Sequence, residues 1–484
     1  MQLPFTFAVE VPSRARLRRA ARRRWIWIAV ITVLAGTAAA VAAYVQFKRS
    51  EAVGEATLRV SSDPSGALVE IGGRRLGRTP VELRLAAGDH RVTLHRDGYA
   101  DAISSASLDS GGRADLHADL WLWTPRAQLL RPTFPGATIA GAMFLADGRI
   151  ALTIALPPDD ERQTWLLDDD NGMRRLGPPE ARGPLAVAAD GGRVAYAARG
   201  QDDESGPGGV HPDEVWIAPA DGARGTRAYV LTTEIRDERL VDLSWAPDGR
   251  HLFLVTRYQL AGGGYRTRLL WLDAATRQVD KIANIPSEIV PGSYGWSPTS
   301  EHVALLARSG QTTALCLVRT DGTEIRYLTD LYQDDASPLA FPPVAWSSDG
   351  ARMLYAAPLQ SPANAQGGWL WGAQSAPALF EVRVSRPQEQ RVGTVEGQSP
   401  TWREDGSIVM LARPKFGRPL TLRSVEMDGS IHDLGELPLK AGPTYAARWD
   451  VAHAQAIVAV RSAASTGANR PDYWLVRYRP EADR

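Results

Sequence analysis

The stretch LSWAPDGRHLFLV at 243–255 carries the pattern that decides most of the fold. Trp245 precedes a turn built on Asp248-Gly249, and the apolar residues after that turn predict a returning strand. The same order of apolar anchor, tight turn and second apolar strand recurs from about residue 140 onward. The anchors are Phe144, Val187, Trp245, Trp296, Trp346, Trp402 and Trp449.

The spacing of these anchors indicates a repeat architecture. Successive anchors are 43, 58, 51, 50, 56 and 47 residues apart. Repeats of roughly 40–55 residues built from short strands are typical of propeller blades. A second strand pair follows six of the seven anchors, so we predict blades of four strands, A to D. The pattern resembles that of TolB-like and WD40-like propellers with a W-S-P-D-G motif, which implies the fold and leaves the function open.

The seventh repeat is one strand short. It has the single strand YWLVRY at 473–478 where the other repeats have a C–D pair. The stretch AQLLRPT at 127–133 precedes the first repeat and can supply the missing outer strand. Since an unpaired blade edge invites aggregation, we predict a ring of seven blades closed by this strand.

Residues 57–122 predict a second, much smaller β-module. Turn residues at 63–66, 72–73, 79–80 and 88–89 separate short alternating strands, because glycine supplies positive φ and proline presets turn geometry. Such a composition favours a small β-sandwich. A core of this size is marginal on its own.

The same residues resemble the PEGA family. The matching run begins at Pro64-Ser65-Gly66-Ala67, continues through Gly77 and Thr79-Pro80, and ends at Gly98-Tyr99. Ser65 stands where the name-giving tetrapeptide has an acidic residue. The resemblance implies an extracytoplasmic β-domain beside a membrane anchor and implies no catalytic residues.

An uncharged stretch near the N-terminus predicts a membrane span. The 20 residues at 25–44 would extend about 30 Å as a helix, which matches the hydrocarbon thickness of a bilayer. Seven arginines lie between 14 and 24, whereas only Lys48 and Arg49 follow closely, so the N-terminal side is expected in the cytoplasm. A cleaved signal peptide is the alternative reading.

The predicted organisation therefore has five parts and is all-β outside the membrane. They are a cytoplasmic Arg-rich tail at 1–24, a transmembrane helix at 25–44, a linker at 45–56, a PEGA-like β-domain at 57–122 and a seven-bladed β-propeller at 123–484. The C-terminal domains are expected in the periplasm or outside the cell.

Composition narrows the class of function. The chain has 55 basic and 55 acidic residues, but the first 50 residues carry nine basic and one acidic side chain, so the remainder is acidic. An acidic body gives no electrostatic attraction to nucleic acid. Cys316 is the single cysteine, and the histidines show neither zinc spacing nor an HExxH motif. We predict no nucleic-acid partner, metal, cofactor or catalytic residue, and a buried, inert Cys316.

The connections of the propeller suggest where binding occurs. Long B–C connections are predicted at 198–212, 257–268, 358–378 and 462–472, and a long D–A connection at 331–343, all on one face. Loops on a rigid scaffold commonly carry binding. Aromatic residues in them are candidates for stacking on a sugar ring or a protein partner. They are Tyr258, Tyr265, Tyr332, Trp369 and Trp371, although the two tryptophans can equally extend a strand.

These observations favour a membrane-anchored, extracytoplasmic binding or scaffold protein of the cell envelope. Its expected partners are the cytoplasmic membrane, through 25–44, and an envelope protein or glycan. The alternative is a propeller-type hydrolase or lyase acting on an extracytoplasmic substrate. His, Arg and carboxylate side chains converging on the central channel would favour that enzyme.

Overall fold

The structure, a computed structural model, consists of β-strands and their connections. It describes residues 55–158, 161–167, 172–179, 181, 184–199, 213–231, 235, 238–310, 312–333, 341–358, 377–403, 406–412, 418–426, 429–440, 444–461 and 471–479. The predicted all-β class is confirmed for this part of the chain. The predicted span at 25–44 lies outside the described residues. Within them, no helix has the length and apolar character needed to cross a bilayer.

The described residues form two compact units. The first comprises 55–95 and 102–118, and the second comprises 96–101 and 119–479. The first unit contains two antiparallel sheets with strand orders β4-β1-β7 and β3-β2-β5-β6. Its strands are β1 Glu55–Asp63, β2 Leu68–Ile71, β3 Arg74–Arg78, β4 Val81–Ala86, β5 Gly88–His95, β6 Ala102–Leu108 and β7 Arg113–Asp119.

Alternating residues of these strands form the core of the first unit. Leu58 and Val60 on β1, and Val69 and Val92 on the other sheet, are fully buried. Residues at every second position face the same side of a strand. One set of alternate residues therefore fills the core, and the other set faces solvent and is mostly polar. The predicted small sandwich is therefore present.

The Thr79 hydroxyl explains why the turn-rich stretch needs its Thr-Pro pair. Thr79 is buried, and its Oγ1 accepts hydrogen bonds of 3.0 Å from the amides of both Gly66 and Ala67. Ser62 Oγ lies 2.6 Å from the same oxygen. One hydroxyl thus holds the Asp63–Gly66 turn against the following hairpin.

We expect Thr79→Val to destabilise the first unit by about 1–3 kcal/mol, because valine keeps the shape but leaves the buried Ala67 amide without its acceptor, whereas the Gly66 amide keeps the carbonyl of residue 79. Thr93→Val, on the partly exposed strand β5, should change stability by less than about 0.5 kcal/mol. Urea unfolding of both variants would measure the difference. Equal effects of the two substitutions would contradict the role given to Thr79.

The second unit is a seven-bladed propeller. Blade 1 contains β9 Thr138–Phe144, β10 Ile150–Leu156, β11 Glu161–Leu167 and β12 Met173–Arg175. Blade 2 contains β13 Leu185–Val187, β14 Arg193–Arg199, β15 Asp213–Pro219 and β16 Thr226–Val230. Blade 3 contains β17 Arg239–Trp245, β18 His251–Gln259, β19 Tyr265–Asp273 and β20 Val279–Ile285. Blade 4 is β21 Glu288–Ile289, β22 Gly295–Trp296, β23 His302–Ser309, β24 Thr312–Arg319 and β25 Ile325–Gln333.

Blades 5 and 6 share one continuous sheet, because β29 runs from the outer edge of blade 5 into the inner edge of blade 6. Their strands are β26 Val344–Trp346, β27 Arg352–Pro358, β28 Pro377–Arg383, β29 Arg386–Trp402, β30 Ile408–Ala412, β31 Pro419–Val425 and β32 Ile431–Lys440. Blade 7 contains β33 Thr444–Asp450, β34 Gln455–Arg461, β35 Asp472–Arg477 and β8 Arg126–Leu129.

The ring closes through the strand that precedes blade 1, as the sequence predicts. β8 pairs antiparallel with β35, from Arg126 opposite Arg477 to Leu129 opposite Trp474. The amide of Leu130 then donates a 2.8 Å hydrogen bond to the carbonyl of Tyr473. The outermost strand of the last blade is therefore the first strand of the unit.

Apolar cores lie between neighbouring blades all around the ring. Each cluster draws its residues from two adjacent sheets, including one between blades 7 and 1 that contains Leu130, Ile139, Leu152, Ile457 and Leu475. A blade buries both faces in this way, which explains the nearly continuous apolar runs of the middle strands.

The repeated Asp-Gly pair forms the same turn between strands A and B in most blades. The fourth turn residue has a positive φ and donates its amide to the carbonyl three residues earlier in all seven blades. Glycine fills this position in five of them, since it adopts positive φ without steric cost. Ser300 in blade 4 and Ala454 in blade 7 take the same conformation with φ of 61° and 48°.

The anchor tryptophans are less buried than their repetition predicts. Trp245 is buried, whereas Trp346 and Trp402 are only half-buried. Trp346 Nε1 donates to the carbonyl of Gly295 in the preceding blade at 2.9 Å, and the Arg352 guanidinium lies 4.5 Å from the ring of Trp402. The shared register of Trp245, Trp346 and Trp402 before their turns predicts fully buried core residues. Trp346 and Trp402 instead pack half-buried against the cores between blades and add polar and cation–π contacts there, so the predicted full burial is wrong for these two.

Candidate functional site

The two ends of the propeller differ in the same sense as the sequence predicts. All A–B connections are short, with five residues in six blades and four at 451–454 in blade 7. B–C connections at the other end range from 310–311 to the long span 359–376. We call that end the B–C/D–A face. Most of its long connections lie outside the described residues, but the B–C connection of blade 3 is described completely.

The predicted loop at 257–268 is largely a hairpin. Most of it belongs to β18 and β19, which are joined by the short turn 260–264. Pairing with the flanking strands ends at Arg239–Arg257 on one side and Thr267–Ile285 on the other. Within the described structure, residues 258–266 pair only with each other and project beyond the sheet. The glycines at 262–264 made this stretch resemble a loop in the sequence, although the strands on both sides continue into it.

Tyr265 forms an exposed aromatic platform on this hairpin. Its side chain is the most exposed of the large apolar and aromatic residues described, at 60%. The Arg257 guanidinium lies 5.0 Å from the centre of its ring, and Arg257 Nη1 donates to Glu288 Oε1 at 2.9 Å. Glu288 belongs to blade 4, so the platform is fixed across the seam between two blades.

Tyr258 lies on the opposite face of the same hairpin. It stands opposite Arg266, whereas Tyr265 stands opposite Gln259, and adjacent residues of a strand point to opposite faces. The two tyrosines therefore do not form one stacking surface. Tyr332 lies in β25, but the structure describes only its backbone. Trp369 and Trp371 lie outside the described residues.

A buried ion pair supports the base of the hairpin on its other face. Glu238 is 4% exposed and accepts hydrogen bonds from Thr256 Oγ1 at 2.5 Å and from Arg268 Nη1 at 3.3 Å. Burial also raises the pKa of nearby Tyr229. No pattern in the sequence indicates this cluster, because Glu238 occurs in a charged connection of the kind that is usually solvated.

One carboxylate is held beside the central channel. Asp242, on the innermost strand of blade 3, accepts hydrogen bonds of 2.9 Å from Tyr294 Oη, the Gly292 amide and the Leu243 amide. Desolvation raises the pKa of Asp242 despite these donors and the positive charge of Arg162. Tyr294 and Gly292 belong to blade 4, so this carboxylate also joins blades 3 and 4.

Because the pKa of Asp242 is raised in the folded protein, the effect of Asp242→Asn on folding stability should depend on pH. A carboxyl group whose pKa is raised by folding favours the folded state most when protonated, and this contribution is lost as pH rises through the folded pKa. We therefore expect the stability of the variant relative to wild type to improve between about pH 4 and pH 8. Urea unfolding at both pH values would measure it. A relative stability that falls or stays constant with pH would contradict the assigned direction.

Phe341 packs away from the blade that it precedes. It lies just before the innermost strand of blade 5 but packs in the core between blades 7 and 1, together with Leu130 and Ile139. Its ring centre lies 6.0 Å from that of Tyr473, edge to face. This side chain therefore links blades 7 and 1 to the start of blade 5.

Arg448 provides a positive charge on the innermost strand of blade 7. Burial lowers its pKa to about 10. The six equivalent positions, each directly before the anchor of its blade, are uncharged: Met143, Ala186, Ser244, Gly295, Ala345 and Thr401.

The histidines of the described propeller lie away from these channel residues. His251, His302 and His453 lie in or directly after A–B turns, and His432 lies near a C–D turn. The described residues thus do not assemble the His, Arg and carboxylate cluster that would favour an enzyme. They also contain no group of three or more His, Cys, Asp or Glu residues suited to a metal ion. Cys316 is fully buried, as predicted, and burial raises its pKa to about 12.

Comparison with known proteins supports the predicted PEGA resemblance. The PEGA domain model matches residues 55–120. Similar solved structures include an oligogalacturonate lyase from Vibrio parahaemolyticus (11% identity, 74% of this chain, 98% of that chain, TM-score 0.43) and a putative TolB from Agrobacterium tumefaciens (16%, 59%, 95%, 0.34). Porphyromonas gingivalis dipeptidyl peptidase 4 is also similar (11%, 79%, 55%, 0.43). No curated protein matches the chain.

Proposed function

We propose that this chain is a membrane-anchored binding or scaffold protein of the cell envelope, which recognises a protein or glycan through the B–C/D–A face of its propeller. The anchor is the uncharged span at 25–44, with residues 1–24 in the cytoplasm and the two β-units outside. The protein acts by binding and not by catalysis. It has no nucleic-acid partner, because the chain beyond the basic N-terminal segment is acidic.

One observation carries the proposal: the exposed tyrosine platform on the projecting hairpin of blade 3. An exposed aromatic ring is costly to leave in water, and tyrosine and arginine are enriched among the residues that dominate binding energy. The opposite face consists of uniform short turns whose side chains serve the turns themselves, as when Asp190 accepts a hydrogen bond from Gly192. The faces thus differ in chemistry as well as in loop length.

Site-specific crosslinking in cells tests the choice of face. A photo-reactive amino acid at position 265 should yield a discrete crosslinked product with an envelope component, and the same group at position 190, in an A–B turn, should not. Products only from position 190 would place the working surface at the other end. A cytoplasm-only reporter fused after Arg484 should be inactive; activity there would contradict the proposed topology.

A further inference from the structure

A second exposed tyrosine lies at the boundary between blades 3 and 4. Tyr327, on β25, is 47% exposed, and its hydroxyl lies 3.3 Å from Ser287 Oγ. Ser287 directly precedes Glu288, the partner of Arg257 beneath Tyr265. Two sets of contacts, Tyr265–Arg257–Glu288 and Ser287–Tyr327, are thus joined by the chain at 287–288, and we call these five residues the tyrosine seam.

The seam is fixed without a ligand. Ser287 is 5% exposed, and its carbonyl accepts a 2.7 Å hydrogen bond from Thr267 Oγ1 on the hairpin. Arg257 is held between the Tyr265 ring and Glu288. A surface whose side chains are already positioned loses less conformational entropy on binding.

The chemistry of the seam matches that of a sugar chain. Each ring presents an electron-rich face to the weakly positive C–H groups of a pyranose. Beside the Tyr265 ring, Arg257 can donate and Glu288 can accept, and a sugar hydroxyl does both. Arg257 and Glu288 offset each other's charge, so this ion pair by itself favours neither sign of ligand charge.

We propose that the tyrosine seam binds a neutral, extended oligosaccharide, with sugar rings stacked on Tyr265 and Tyr327 and hydroxyl groups bonded to Arg257 and Glu288. The proposal rests on the proposed function and names the ligand class for the same face. A protein partner is the competing occupant that the experiment must separate, since tyrosine and arginine are also enriched at protein interfaces. The only large aliphatic side chain exposed on the described part of the hairpin is Leu260, at its tip.

Calorimetry on the full-length protein tests this assignment, in a detergent without a sugar headgroup. The probes are cellohexaose and the β-1,4-linked hexamer of N-acetylglucosamine. We expect at least one of them to bind at millimolar or lower concentration. Tyr265→Ser and Tyr327→Ser should each weaken that binding by about tenfold, whereas Tyr265→Phe should retain it because the ring is kept.

Tyr258→Ser is the matched control, because Tyr258 lies on the same hairpin but faces away from the seam. It should leave sugar binding unchanged. Equal losses in Tyr258→Ser and Tyr265→Ser, or no binding of either hexasaccharide to the wild-type protein, would overturn the assignment. If crosslinking at position 265 then still captured an envelope protein, the proposed function would stand and only the glycan ligand would fall.

Discussion

A chain that begins at residue 134 should lose most of its stability or fail to fold, whereas a chain that begins at Asp119 should keep the folded propeller. The shorter chain lacks β8, so the outer edge of β35 has no partner and the core between blades 7 and 1 loses Leu130. Loss of this burial and of the strand hydrogen bonds should cost at least about 3 kcal/mol.

Adding the missing strand back tests this expectation even if the shorter chain is poorly soluble. A peptide spanning 119–133 includes β8 and Trp121, whose ring stacks on Tyr478 with centres 4.6 Å apart. It should raise the melting temperature of the shorter chain progressively as the peptide concentration exceeds the dissociation constant. A scrambled peptide is the control. If chains beginning at 119 and 134 melt at the same temperature, the ring does not depend on β8.

Phe253→Ala should destabilise the propeller by about 3–5 kcal/mol, a typical cost for removing a fully buried aromatic ring. Phe253 has no exposed surface and packs edge to face against both Tyr294 and Trp296 of the next blade, with ring centres 5.8 Å away in each case. Truncation leaves a cavity between two rigid sheets, and such a cavity can collapse only partly.

Trp402→Ala should cost clearly less than Phe253→Ala, although tryptophan is the larger residue. Trp402 is half-buried at the rim, where Arg352 covers its ring. Chemical denaturation of both variants would give the two free energies of unfolding. A larger loss for Trp402→Ala would mean that the repeated tryptophans, and not the middle strands, form the structural core.

The repeating pattern alone determined the architecture. An anchor, a tight turn needing positive φ and an apolar return strand are local features, and each constrains the backbone wherever it occurs. Seven copies, together with 127–133, were sufficient to predict seven blades and the closing strand. The PEGA-like unit followed from its turn residues for the same reason.

The predicted burial of the anchors had to be corrected by the tertiary structure. The alternation of apolar residues along a strand predicts which face of the strand a side chain occupies. It does not predict how deeply that side chain is buried between neighbouring blades. Trp346 reaches the rim and bonds to Gly295 of the neighbouring blade, a contact between residues 51 positions apart. No local sequence pattern predicts a contact between residues so far apart along the chain.

The candidate site was predictable in its location but not in its composition. Loop lengths and aromatic content identified the B–C/D–A face and Tyr265 from the sequence. Only the structure showed that Tyr258 faces away, that Arg257 and Glu288 support the platform, and that Tyr327 contacts Ser287, the residue before Glu288. These relations depend on hairpin register and on contacts between blades, because side chains far apart in sequence become neighbours only when two sheets pack together.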